Sequence, residues 1–512
     1  MSTHHSIAFA ALAAFFIATG PGDAQANDLI IAVQDVPDSL DPVTENSNVN
    51  LRMVYSLYET LVKTDYRDGG KLKPGLASEW TVIDGKTLEF KLREGVTFHN
   101  GDTLDAADVV ASFAPVRRGL DENVPVESRQ FFSGIDSVEI IDDMTVRIHM
   151  KANDAIALNR FASFPSHIIS ADAFNAAESY ADFAAQAIGT GPYKLATYEV
   201  GNKVVFEAFD GYWGEPKAAA DTVTFSAVGE LSTRIAGLFS GQFDIITEIG
   251  ADDFAQIEGN PLTAVAGASS ENIRGLFYDS TNETLKDPRI RHALNLSIDR
   301  QLLADTFYAG KTVVTNGWQM PTFGDMYLAD RPQPEYNVEK AKALLKEAGY
   351  KNQEIVYRVL NGYYTKQLET AQVLQSMWQE AGLNVKLEVK ENWDQINEDT
   401  ETRHIFDGSF TAYYPDPMGQ FWRRFGPNGG RAGSHFIITP EMLALGEVLA
   451  TSTDTSERRA VFAEMLDTFE ADPNGAILHA LAGFKGIRAD RLSYDPIASE
   501  YMDLTTDSVK FK

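Results

Sequence analysis

Strand-type and helix-type hydrophobic periods alternate along this chain, and that alternation restricts it to a mixed α/β fold. Trp80 to Leu92 reads as a hairpin: Val82 precedes an Asp84-Gly85 turn, and Leu88, Phe90 and Leu92 alternate after it. Val138 to Met150 repeats the pattern, with Asp142-Asp143 as the turn and Val146, Ile148 and Met150 on one face. Helix signals are equally plain. Asp105, with Asp108 three residues on, predicts a capped start before Val109, Val110 and Phe113. Asp287-Pro288 opens a second helix, with proline at the first helical position. Asn337 opens a third, whose stripe of Val338, Ala341, Leu345 and Ala348 ends at Gly349. At 512 residues the chain exceeds a single core, so two or three lobes are expected. No long Pro/Gly/Ser linker marks their boundaries.

The usual traces of catalysis are missing. There are no cysteines, which excludes disulfides, thiolate metal sites, cysteine nucleophiles and a lipoprotein anchor. Gly310-Lys311-Thr312 resembles the end of a phosphate-binding loop, but the glycine required five residues earlier is Asp305. Gly189-Thr190-Gly191 continues as Pro192-Tyr193, so it reads as a turn rather than a dinucleotide fingerprint. No Gly-x-Ser-x-Gly elbow or His-Glu-x-x-His zinc site occurs. His404 and His435 are lone histidines. The expectation is therefore a binding protein, not an enzyme, with no cofactor and no metal. The formal charge of -29 opposes contact with nucleic acid. Ile7 to Ala18 is an apolar run followed by Ala24-Gln25-Ala26, which reads as a signal peptide cut before Asn27. That expectation gives a soluble periplasmic protein of charge -28, since residues 1–26 carry one acid, Asp23, and no base.

Aromatic residues stand out: 30 Phe, 19 Tyr and 6 Trp. Tyr363-Tyr364, Trp393, Tyr413-Tyr414 and Phe421-Trp422 combine rings with polar groups, a mixture suited to a polar organic ligand in a closed pocket.

The stretch Leu76-Ala77-Ser78-Glu79-Trp80, Asp84-Gly85-Lys86-Thr87, Phe90 to Asp102 and Ala107-Asp108-Val109-Val110-Ala111-Ser112-Phe113 closely resembles the signature of the bacterial family 5 extracellular solute-binding proteins. These are the dipeptide, oligopeptide and nickel binders of ABC importers. Ser39-Leu40-Asp41-Pro42, Tyr58-Glu59-Thr60-Leu61, Gly189 to Tyr193, Gly211-Tyr212-Trp213, Arg289 to Arg300 and Asp416-Pro417 extend the likeness through the chain. The resemblance implies a periplasmic binding protein-like fold of three lobes with a two-crossing hinge and a ligand cleft between lobes I and III. By similarity, lobe I comprises residues 27–72, 190–271 and 488–512, lobe II residues 73–189, and lobe III residues 272–487. It also implies a monomer that docks to permease subunits in the inner membrane, closing around its ligand.

The chain departs from the dipeptide binders where they clamp a zwitterion. Their ammonium-binding aspartate falls on Tyr413 and their carboxylate-binding arginine near Asn361. A buried charge without a counter-charge costs several kcal/mol, so the expectation shifts toward opine- or sugar-like ligands, level with peptides, with a nickel chelate behind and a sensor without transport as a further alternative. Arg129 and Arg423 are available for an acidic ligand. The expected ligand-binding set is Glu45, Asn46, Arg129, Asn361, Tyr363, Trp393, Tyr413, Tyr414, Asp416 and Arg423.

Overall fold

A computed structural model of the chain describes residues 27–512 except 46, 121–128, 133, 268, 428, 430–434 and 498, and the side chains of 129 and 130. The expected targeting segment, residues 1–26, lies outside the described residues. Strand β1 (Asp28–Val33) leads to helix α1 (Asn48–Leu57) and a hairpin of β2 (Val62–Asp65) and β3 (Lys71–Pro74). Next come β4 (Ala77–Asp84), β5 (Thr87–Leu92), β6 (Ile135–Asp142) and β7 (Thr145–Met150), which form a four-stranded antiparallel sheet in the order β4-β5-β7-β6. Both expected hairpins are present, with Val82 opposite Leu88 and Ile140 opposite Val146. The inner face of this sheet buries Leu88, Phe90, Val146 and Ile148, and Phe90 meets Phe161 edge-on at 5.5 Å.

The chain then builds β8 (Tyr193–Glu199), β9 (Lys203–Ala208), β10 (Thr222–Ala227), β11 (Ile245–Ile246) and β12 (Thr263–Ala266). These join β1 and the much later β18 (Lys485–Arg488) in a seven-stranded sheet ordered β12-β18-β11-β1-β10-β9-β8. A five-stranded sheet follows, ordered β15-β14-β16-β13-β17, from β13 (Ser269–Tyr278), β14 (Glu354–Leu360), β15 (Asn384–Lys390), β16 (Ile405–Thr411) and β17 (Gly475–Ala482). Strands β19 (Leu492–Tyr494) and β20 (Val509–Phe511) pair near the end of the chain.

The caps read from sequence are formed. Asp105 accepts the Ala107 N–H at 2.7 Å while Asp108 accepts the Asp105 N–H at 2.8 Å. Asn337 caps the helix Val338–Glu347, and Gly349 takes a φ of +68° beyond it. The Gly189-Thr190-Gly191 turn lies against the carboxyl end of α1. A Cβ on Gly189 would stand 2.2 Å from the Leu57 carbonyl oxygen, and one on Gly191 2.5 Å from that of Ser56. These glycines permit close backbone packing, which joins the β8 lead-in to α1.

Candidate functional site

Strands β15, β14 and β16 are parallel neighbours. Their carboxyl ends therefore lie at one edge of the sheet, the edge where open α/β sheets bind ligands. Three aromatic loops leave from this edge. Trp393 follows β15, Tyr363 and Tyr364 follow β14, and Tyr413 and Tyr414 follow β16. Parallel pairing thus brings loops that are distant in sequence to one edge.

The first two loops meet. Tyr363 packs edge-on against Trp393 at 5.1 Å and against Tyr364 at 4.8 Å. Both ring-bearing main-chain N–H groups, of Tyr363 and Tyr364, donate to Gln367 Oε1 at 3.0 and 3.2 Å. The Gln367 amide donates in turn to the buried Asp407 at 2.6 Å. Asp407 also holds Arg274 at 2.6 Å and the Tyr357 hydroxyl, and the Arg274 guanidinium lies 3.9 Å from the Tyr364 ring centre. This network fixes the loop after β14 to the sheet beneath it.

Tyr413 forms a second cluster. It stacks on Phe131 at 5.0 Å and meets Phe164 edge-on at 4.8 Å. The Arg423 guanidinium covers its ring at 3.9 Å and donates to the Thr411 and Gly419 carbonyls at 3.1 and 3.3 Å. Burial, reinforced by the adjacent Arg424, lowers Arg423 to about 9. Tyr414 is buried beside Phe131, and burial raises its phenol well above its usual range.

The opposite wall is α1 with the ends of the seven-stranded sheet. The Tyr363 hydroxyl faces the main chain of Asn48, and the Thr411 hydroxyl donates to Asn48 Oδ1 at 3.4 Å. Arg52 pairs with Glu248 at 2.7 Å, and Thr365 reaches the other Glu248 oxygen at 3.2 Å. Glu500 accepts from Ser270 at 2.9 Å and from Asn272 at 3.2 Å, both on β13. The Thr411–Asn48 and Thr365–Glu248 contacts thus bridge the two sides of the cleft.

The structure brings Tyr363, Trp393, Tyr413, Tyr414 and Arg423 to this edge, and distributes the others differently. Asn361 is exposed at the start of its loop. Asp416 is buried and engaged by Arg458, whose Nη2 donates to both carboxylate oxygens at 2.9 Å, so it shapes the loop rather than facing the cleft. Glu45 is half-buried, accepts the Ser39 N–H at 2.8 Å and the Ser47 hydroxyl, and steadies the entry to α1. Arg129 begins the short helix Arg129–Phe132, but its side chain, like Asn46, lies outside the described residues. His404 is buried and takes the Val356 N–H at 3.3 Å, while His435 packs edge-on to Phe406. Sequence reasoning missed Arg274, Asp407, Gln367, Glu271 and Glu500, whose surroundings arise only when segments distant in sequence meet.

Next to the cleft, between α1, the β2–β3 hairpin and the chain near Tyr501, lies a cavity of about 400 Å³ lined by residues including Tyr55, Tyr66, Arg93, His167 and Trp213. None of the expected site residues lines it. Arg93 lies 4.5 Å from the Trp213 ring centre, and the Trp213 indole donates to buried Glu59 at 2.6 Å. Glu59 also accepts from Thr190 at 2.9 Å and Tyr212 at 3.0 Å, which ties together three segments of the family-like pattern.

A mixed α/β chain with an interlobe cleft at the carboxyl ends of parallel strands has the form of a solute-binding protein. The chain belongs to the bacterial extracellular solute-binding proteins, family 5, whose family description matches residues 71–432. It is 31% identical over 328 residues to the glutathione-binding protein GsiB of Salmonella paratyphi A, an alignment covering 64% of this chain and 62% of that relative. It is 28% identical over 439 residues to the dipeptide-binding protein of Escherichia coli K12, covering 80% and 81%. Among solved structures it resembles DppA of Helicobacter pylori in complex with the peptide STSA, with a TM-score of 0.83, 22% identity and coverage of 95% and 98%. It also resembles AgaA of A. tumefaciens R10 in complex with agropinic acid, with a TM-score of 0.81, 23% identity and coverage of 95% and 99%. Both structural likenesses establish the fold. Among the described residues, no helix is long and apolar enough to cross a membrane.

Proposed function

We propose that this protein is the periplasmic substrate-binding subunit of an ABC-type importer. It captures a small polar organic solute, peptide-like or opine-like, closes around it and presents it to the permease, without catalysing a reaction. The observation that carries this reading is the placement of two aromatic clusters, Tyr363 with Trp393 and Tyr413 with Phe131, at the carboxyl ends of parallel strands opposite the start of α1. Rings and hydroxyls on both sides of a closable cleft suit a ligand held by stacking and hydrogen bonds. The glutathione- and dipeptide-binding relatives support it. In this reading lobe I is residues 27–72, 190–271 and 488–512, lobe II 73–189 and lobe III 272–487, and residues 1–26 are removed on export.

Arg423 sharpens the ligand class. Its guanidinium over Tyr413 makes this end of the cleft cationic, so a solute with a carboxylate fits better than an uncharged sugar. Native mass spectrometry of protein purified without refolding tests the reading, followed by thermal-shift measurements with dipeptides, glutathione, agropinic acid, an oligosaccharide and a nickel–histidine chelate. The reading predicts a retained or stabilising carboxylate-bearing solute recovered unchanged. Absence of any bound or stabilising solute, or its conversion to product, defeats it.

A further inference from the structure

The cavity of about 400 Å³ beside the cleft is walled by segments that meet only in the folded chain. Tyr55 lies on α1 and Thr64 on β2, His167 follows the turn Phe164–Ser166, and Tyr501 lies between β19 and β20. His167 lines the cavity while only 1% exposed, and neither of its ring nitrogens forms a hydrogen bond. Its main chain is fixed: His167 bridges to Thr60, and the Ile168 N–H donates to the Glu59 carbonyl at 2.9 Å. Its ring is held by packing, edge-on to Tyr55 at 4.8 Å and 5.8 Å from Tyr58. Burial holds the imidazole down to about 3, against the weaker pull of the Phe164 main chain, so it is neutral and carries one N–H and one lone pair. Thr64 Oγ1 is a second buried atom on this wall without a partner. Buried polar atoms left unpaired cost free energy until a group inside the cavity meets them.

The charged groups on the same wall are already engaged. Lys63 pairs with Glu59 at 2.5 Å, Lys73 with Asp65 at 2.9 Å, and Arg67 with Asp495 at 2.8 Å. The Arg93 guanidinium covers the Trp213 ring, and its Nε donates to the Gly75 carbonyl at 3.2 Å. Glu215 and Asp507 are exposed, so water solvates them. An ion entering this cavity loses its hydration and finds the countercharges largely taken. A neutral hydroxyl loses far less, and it can both donate to and accept from an imidazole. Tyr55 touches His167 on one side and Tyr501, 4.9 Å away, on the other, which adds ring surface for the body of such a molecule.

We propose that this cavity is a second binding site, separate from the cleft, for an uncharged ring compound bearing hydroxyl groups. One hydroxyl meets His167, a second reaches Thr64 Oγ1, and the ring packs against Tyr55 and Tyr501. Because the wall is drawn from the beginning, middle and end of the chain, an occupant stabilises their docking whatever solute the cleft takes.

Saturation-transfer NMR and calorimetric titration of the exported protein test this with methyl β-D-glucopyranoside and resorcinol, each beside a charged counterpart, D-glucuronate and 3-hydroxybenzoate. At least one uncharged probe binds, at least about tenfold more tightly than its counterpart, and the one that binds shows whether the site takes a saturated or an aromatic ring. His167→Phe keeps the ring packing, removes both nitrogens and weakens that probe about tenfold. Should that variant not fold, Thr64→Val, expected to weaken the probe several-fold, serves in its place. Trp393→Ala, in the cleft, leaves the probe unaffected while it weakens the cleft's own solute. The second site is overturned, with the solute-binding reading intact, by charged counterparts that bind as tightly or by a probe that is insensitive to both cavity variants. It is equally overturned if neither uncharged probe binds, if the probe is lost with Trp393→Ala but kept with His167→Phe, or if a probe-soaked crystal holds ordered water alone in the cavity. Failure of the solute-binding reading shows separately, as the absence of any solute in the cleft.

Discussion

The loop that carries Tyr413 depends on one buried ion pair. Arg458 Nη2 donates to both oxygens of Asp416 at 2.9 Å, and Arg458 Nε donates to the Leu449 carbonyl at 2.8 Å. The two side chains are 9% and 6% exposed. Arg458→Met removes two charge-assisted hydrogen bonds and leaves Asp416 buried without its cation. Breaking a buried pair from one side costs about 3–5 kcal/mol. At roughly 1 °C per kcal/mol for a chain of this length, the melting temperature falls by about 3–5 °C. Removing the charge as well, in the double variant Asp416→Asn with Arg458→Met, restores most of the loss, because a neutral amide tolerates the site better than a lone carboxylate. Thermal denaturation followed by circular dichroism, run on wild type, both single variants and the double variant, measures the coupling. A fall of under about 1 °C for Arg458→Met, or a double variant no better than the worse single, refutes the argument that this pair holds the loop.

Other outcomes follow from the same contacts. Trp393→Ala removes the edge-on partner of Tyr363 and should weaken binding of the retained solute about tenfold by calorimetry, with little change in melting temperature. His167 and His479, each 1% exposed, are held down to about 3 and about 4 by burial. Both titrate below the unfolded value near 6.5, so the stability they support is complete above that pH. It drains away as pH falls toward 4, by roughly 1.4 kcal/mol per pH unit for each histidine. Urea unfolding at pH 7, 6, 5 and 4 reads this directly, and His167→Phe should flatten the slope. Gly189→Ala drives a methyl group into the Leu57 carbonyl and should lower the melting temperature by several degrees, whereas Gly201→Ala meets no atom within 4 Å and loses only what its φ of +69° costs, about 1 kcal/mol.

The hairpins and capped helices were legible because their signals are local. Leu88, Phe90 and Leu92 share a face through a period of two, and Asp105 and Asp108 cap through hydrogen bonds within one turn. The aromatic loops were legible as residue types but not as a constellation. Nothing near Tyr413 in sequence announces Phe131 and Phe164, which come from the other side of the fold. Asp416 beside Pro417 read as a ligand-side acid because its partner, Arg458, lies 42 residues further on. The setting of Glu271 is hidden in the sequence for a different reason. Strand β13 lies between β16 and β17 and is buried along almost its whole length, so it lacks the alternation that separates inward from outward positions. Its Glu and Arg look like a solvent face in sequence, and only the sheet shows that Arg274 is paired and Glu271 is not.

The seven-stranded sheet sets the order in which the molecule can be finished. Strand β11 is flanked by β1, whose first residue is 28, and by β18, which ends at 488. Nearly the entire chain must leave the ribosome before this sheet can close. Such distant pairing is slow to form, because the loop entropy is lost before any contact is gained. For a member of an extracellular family, that delay is useful: the polypeptide remains threadable while it is being made and becomes a locked, cleft-bearing body only when its last strands arrive.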